Sequence, residues 1–101
     1  MQVREFQRHI AQLYLAKDQR RGPTGTMLWL VEETGELAEA VRRGEKQNAA
    51  EEMADMVAWV ASLANLLDID LETALAQKYP PTCKRCGAKP CACPEPTSAP
   101  L

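Results

Sequence analysis

The chain has little aromatic residue, little net charge and almost no histidine, and for most of its length it has no cysteine. Five of its 101 residues are aromatic, while Ala, Leu and Glu dominate, which favours helices over sheets. A net charge of −2 is too small to argue for nucleic acid or a membrane surface as partner. No apolar run approaches the roughly 20 residues needed to span a bilayer. Met1-Gln-Val-Arg-Glu-Phe reads as the start of an amphipathic helix and lacks the apolar core of a signal peptide. All four cysteines fall in the last fifth of the sequence, so the expected compartment is a reducing cytoplasm. With 46% hydrophobic residues the composition is that of a folded globular chain, and the length fits one principal domain.

Apolar periodicity supplies the elements. Val3, Phe6, Ile10, Leu13 and Tyr14 keep the one-sided spacing of a helix that ends near Asp18. Gln19 to Thr26 contains Gly22-Pro23 and Gly25 and reads as a turn, with Arg20 and Arg21 at its entrance. A second helix follows Thr24 or Thr26 as cap, carries the arc Met27, Leu30, Val31, Thr34, Leu37, Ala38 and Val41, and stops at Gly44. Asn48 and Glu51 resemble a capping box for a third helix from Ala49 to about Leu67. Asp70 caps a short fourth helix, Leu71 to Lys78, ended by Pro80-Pro81. The third helix is apolar in nearly every direction, and three short neighbours cover it poorly. The expectation is an all-α, antiparallel bundle of about four helices per chain, completed by homo-oligomerisation as a dimer or tetramer. Residues 1–80 form that domain, 81–93 a Cys-rich tail, and 94–101 a disordered Pro-rich end.

Within this apolar frame four acids stand as two pairs, Glu33 with Glu36 and Glu52 with Asp55, each pair three positions apart. Such residues project from one helical face with Cβ atoms about 5–6 Å apart. Carboxylates on a core-facing helix need compensation, and no run of Lys or Arg is interleaved with them. A hard divalent cation such as Mg²⁺ prefers carboxylate oxygen and shares its shell with phosphates. The competing reading is a solvated acidic face, which suits Glu32 and Glu39 beside Arg42 and Arg43. It suits Asp55 poorly, between Ala54 and Met56. The stripe continues from Glu52 and Asp55 to Trp59 and Ser62, an apolar end on which a base could stack.

These residues carry a resemblance. Leu30-Val-Glu-Glu-Thr-Gly-Glu-Leu-Ala-Glu-Ala, followed by Glu51-Glu-Met-Ala-Asp-Met-Val-Ala-Trp, resembles the MazG-like nucleotide pyrophosphohydrolases of the all-α nucleoside triphosphate pyrophosphatase group. The likeness runs on through Leu71-Glu-Thr-Ala-Leu-Ala-Gln-Lys-Tyr and so covers about residues 1 to 80. By position it implies Mg²⁺ ligation by Glu33, Glu36, Glu52 and Asp55, with Glu32 or a ligating acid such as Glu33 in the catalytic role of activating water. It implies contacts to the triphosphate from Lys78 and Tyr79. Arg20, Arg21 and Lys17 are added on electrostatic grounds. The implied reaction converts a nucleoside triphosphate into a monophosphate and pyrophosphate. The related phosphoribosyl-ATP pyrophosphohydrolases share the acid pattern and stand as the alternative substrate class.

The tail departs from that pattern. Cys83, Cys86, Cys91 and Cys93 form a C-x₂-C, x₄, C-x-C cluster. Four thiolates this close suit one structural Zn²⁺, against two disulfides or loose thiols. A non-enzymatic, zinc-tailed helical dimer that binds a partner is the rival from another class. Lys84, Arg85 and Lys89 give a thin basic footprint for nucleic acid there, with no interleaved aromatic.

Overall fold

A single backbone break, at Gly22, decides the path of the first half of the chain. In the computed structural model, which describes residues 1–95, Gly22 has φ 82° and ψ 168°, a region open to essentially no residue but glycine. Pro23 follows and suits the first position of a helical arm, where its missing N–H is not needed. Helix α1 therefore spans Val3–Arg43 in two arms, 3–21 and 23–43. The break is narrower than the turn expected between Gln19 and Thr26. Neither Thr24 nor Thr26 caps a separate helix: Thr26 is buried, and its hydroxyl donates to the Gly22 carbonyl oxygen at 2.8 Å.

Gly44 ends α1 as expected, in a left-handed conformation with φ 69°. Its N–H bonds the Val41 carbonyl at 3.1 Å, and the Glu45 N–H bonds that of Ala40 at 3.0 Å. That pair is a Schellman turn, and it leaves only two residues before the next helix. Helix α2, Lys46–Leu66, consequently starts ahead of Asn48. The expected capping box is not formed, because Asn48 lies inside the helix and the N-cap is Glu45. Helix α3, Leu71–Lys78, is capped by Asp70, whose carboxylate accepts the Glu72 N–H at 3.1 Å. Three helices thus stand where about four were expected, the first two having fused across Gly22. The described residues contain no strand.

The second arm of α1 and α2 form an antiparallel hairpin. Thr26, Leu30, Glu33, Leu37 and Ala40 are the buried or half-buried stripe of one helix; Ala49, Glu52, Met56, Trp59 and Leu63 are that of the other. Ala40, Ala61 and Ala64 are buried, and such small side chains let the helices approach closely. The first arm lies against the far end of α2. There the Gln7 amide donates to Asn65 Oδ1 at 3.0 Å and to the Ile69 carbonyl at 2.7 Å, while the Asn65 amide donates to the Gln7 carbonyl at 3.2 Å. Asn65 is therefore a structural residue. Arg4 holds α3 through Asp70 at 2.8 Å and Glu72 at 2.7 Å, exposed pairs that contribute little each.

Candidate active site

Glu33 and Glu52 sit on the facing stripes of the hairpin, so packing aims them at each other. One carboxylate oxygen from each of Glu33, Glu36 and Glu52 lies within 4.8 Å of the other two. Glu33 Oε2 and Glu52 Oε2 are buried and have no hydrogen-bond donor. Buried acceptors without donors are costly, and like charges this close cannot all ionise freely. Hydrogen bonding to Glu52 and the charge of Glu52 hold the Glu36 carboxyl above its usual range. Hydrogen bonding to Glu33, followed by burial, does the same to Glu52. A converging set of oxygen donors with orphaned lone pairs is what a hard divalent cation relieves, and the residues fit such an ion.

Asp55 stands apart from this trio. It is exposed and one turn further along α2, close enough for its charge to raise Glu52 but outside the group of converging oxygens. Glu36 and Glu52 open onto a depression of about 460 Å³ that Glu32, Gly35, Glu39 and Asn48 also line. Glu32 thus lies on the rim of the acid cluster. Glu39 also pairs with Arg42 and Arg43, each at 2.7 Å, as a solvated face would.

Asp55 instead lines a second cavity of about 360 Å³, with Tyr14, Lys17, Asp18, Arg21, Ala58, Trp59 and Ser62. Trp59 stacks on Trp29 with ring centroids 5.8 Å apart and planes 4° from parallel. The Arg21 guanidinium lies 4.7 Å from the Trp59 ring centroid. It also pairs with Asp18 and donates to Thr26 Oγ1 at 3.1 Å. Gly25 makes room for this: a Cβ there would come within 2.8 Å of Arg21 Cγ. The stripe Asp55, Trp59, Ser62 is therefore one wall of an aromatic, partly cationic cavity adjoining the acids.

Other expected residues lie elsewhere. Arg20 is exposed and outside both cavity linings. Lys78 and Tyr79 line a separate space with Pro80, Lys84, Arg85 and Lys89, away from the acids. Sequence reasoning missed Asp18, which is 2% exposed with Oδ2 unpartnered, and it missed Tyr14 as part of the aromatic wall and Trp29 as the ring that stacks on Trp59. The spacing Tyr14, Asp18, Arg21 on one helical face was the available signal.

The four cysteine sulfurs also converge, each within 4.8 Å of the others. Backbone N–H groups of Cys86 and Arg85 bring the Cys83 thiol down to about 6. Those of Ala88 and Ala92 lower Cys86, while hydrogen bonding to Cys91, Cys86 and Cys83 pushes Cys93 up to about 12. The Pro-rich end expected to be disordered, 94–101, lies outside the described residues from position 96 onward. No helix among the described residues is long and apolar enough to cross a membrane.

Residues 10–86 match the family model of the MazG nucleotide pyrophosphohydrolase domain. The match takes in both acid-bearing helices and the first two cysteines, and it leaves Cys91 and Cys93 beyond its end. No curated protein matches the chain.

Proposed function

Because the chain belongs to the MazG nucleotide pyrophosphohydrolase family, a group of typically metal-dependent hydrolases of phosphoric anhydrides, we propose that it cleaves a nucleoside triphosphate between the α and β phosphorus atoms. Water adds to the α phosphorus, the bond to the bridging oxygen breaks, and the products are a nucleoside monophosphate, pyrophosphate and a proton. The convergence of Glu33, Glu36 and Glu52 carries this reading. Mg²⁺ at these acids supplies charge neutralisation of the phosphates and a more acidic water.

The protein's own groups divide the remaining work. Glu33, Glu36 and Glu52 would hold the ion, and Asp55, one turn along α2, would add its negative charge beside them. Glu32 is the general base, placed on the rim where it accepts the proton of the attacking water. The cavity lined by Tyr14 and Trp59 takes the base, with Tyr14 as the stacking face, because Trp29 and Arg21 already lie against the Trp59 ring. Lys17 and Arg21 lie at that cavity and offer positive charge to the phosphates. Lys78, Tyr79 and Arg20 contribute only if a second copy brings them to the site.

A second copy of the chain is part of the proposal. The apolar residues buried among those described are Ile10 and three alanines, too small a core for a chain of this length. The radius of gyration is 16.3 Å, against about 13 Å for a compact domain of this size. Met53, Val57 and Val60 form an exposed stripe along α2, and Met27, Val31 and Val41 another along α1. Self-association through these stripes explains them, and sedimentation analysis checks it: a monomer at micromolar concentration removes this part of the proposal.

The deciding experiment is a pyrophosphate-release assay over ribo- and deoxyribonucleoside triphosphates and phosphoribosyl-ATP, with Mg²⁺ or chelator. Release that depends on Mg²⁺ and is lost in Glu52→Gln is expected. Monophosphate formed with two separate inorganic phosphates, or no turnover on any substrate, overturns the reading.

A further inference from the structure

We propose that Cys83, Cys86, Cys91 and Cys93 bind one Zn²⁺ as a tetrathiolate centre that folds the segment after α3. The inference stands apart from the pyrophosphohydrolase reading and survives or fails without it.

The geometry is that of a single four-coordinate ion. A tetrahedral site with Zn–S distances of about 2.3 Å has sulfur–sulfur edges of roughly 3.8 Å. Cys83 Sγ and Cys93 Sγ stand 3.7 Å apart, and all four sulfurs fall within 4.8 Å of one another. All four are free thiols. Two disulfides would draw the sulfurs into two pairs at about 2.0 Å, with no reason for the pairs to converge.

The backbone around the sulfurs is shaped for thiolates. The Cys83 N–H donates to the Ala88 carbonyl at 2.9 Å, and the Gly87 N–H to the Cys83 carbonyl at 2.7 Å. This closes a tight turn through Cys86 that requires the positive φ of 74° at Gly87. The Ala92 N–H points at Cys86 Sγ at 3.3 Å, and the Cys93 N–H at Cys91 Sγ at 3.4 Å. Such donors stabilise sulfur that carries negative charge. Binding converts four thiols and Zn²⁺ into a dianionic centre and releases up to four protons, with no redox change. Lys84, Arg85 and Lys89 supply offsetting charge from the same loop, and Lys84 Nζ is anchored to the Gln77 carbonyl at 3.2 Å.

Nothing else explains why this segment holds a shape. Residues 79–95 contain neither helix nor strand, and none of them is buried. A segment without a core keeps a fixed conformation when cross-linked by metal.

The full chain, purified under reducing conditions, is expected to retain one zinc per chain. Replacement by Co²⁺ should give the intense visible bands and near-ultraviolet thiolate charge transfer of a tetrahedral sulfur site. Cys83→Ser and Cys91→Ser should each reduce retained zinc to near zero, whereas Glu52→Gln should leave it at one. If those variants do not fold, titration of the wild-type protein with a mercurial should release one zinc per four thiols modified. Reduced wild-type protein free of metal, zinc lost in Glu52→Gln but kept in the cysteine variants, or a weak octahedral Co²⁺ spectrum would each overturn the assignment.

Discussion

The molecule carries two clusters of side chains that could hold a metal ion, and they are held in place by opposite means. Glu33, Glu36 and Glu52 project from two helices packed against each other along an apolar stripe. Their convergence costs free energy, visible in orphaned oxygens and in carboxyls pushed above their normal range. The four cysteines project from a segment with no helix, strand or buried side chain, where backbone N–H groups already favour thiolate. On the helices, the fold positions the donors and strain is left for the ion to relieve. In the tail, on the zinc proposal, the donors are placed so that the ion would create the fold.

The largest effect that tests this contrast is on turnover. Glu52→Gln is expected to lower kcat by about 10²–10³-fold or more while the far-ultraviolet circular dichroism is unchanged, since packing holds α2. Loss of helix in that variant would break the contrast, because it would make the acids part of the scaffold.

Stripping metal from the tail with a strong chelator should act in the other direction. Amide exchange over 83–93 is expected to rise to the rate of an unstructured peptide, with protection over 23–66 unchanged. Spreading of the change into α2 would show that the tail is integral to the hairpin.

Gly22→Ala places a Cβ on a backbone that excludes it, at a cost of about 1–3 kcal/mol. The first arm should loosen, taking Tyr14 and Asp18 from the aromatic cavity and leaving the acid trio intact. KM should rise more than Mg²⁺ affinity falls, which enzyme kinetics with a metal titration will separate.

The smallest effect is on the pH dependence of stability. Glu36 and Glu52 bind protons more tightly in the folded than in the unfolded chain, their folded values lying above 4.5. Metal-free protein should therefore gain stability as pH falls from neutral through those raised values toward 4.5. Urea midpoints measured in chelator will show the slope, and Glu52→Gln should reduce it. A midpoint that rises with pH over this range would contradict the repulsion inferred among the acids.

Much of the fold was legible because apolar spacing reports helical faces directly. Gly44 as a stop, Asp70 as a cap and the extent of α3 followed from chemistry that acts within a few residues. What escaped the sequence depended on conformation or tertiary contact. Gly22-Pro23 reads equally as a loop or as a one-residue break, and only packing of both arms on α2 decides. Asn48 misled because the Schellman turn at Gly44 needs so few residues that α2 begins before it. Asp55 was grouped with Glu52 by spacing, by its apolar neighbours and by the family resemblance, none of which shows how far its carboxylate stands from the other three. Residues three apart lie about 60° from each other around a helix, and the core stripe passes through Met56, leaving Asp55 at its edge. Asp18 was read as a helix end, since nothing local shows that it is buried and lines a cavity with Trp59 and Ser62.

From Glu33 to Glu52 is nineteen positions along the chain, and the whole of that interval belongs to one hairpin with a minimal joint at Gly44 and Glu45. Contacts of such short sequence separation form early and fast, so the acid pocket closes as soon as its two helices zip together. Those twenty residues are for that reason a transplantable unit: grafted into an unrelated helical hairpin of the same joint length, they should carry the proposed affinity for divalent ions with them.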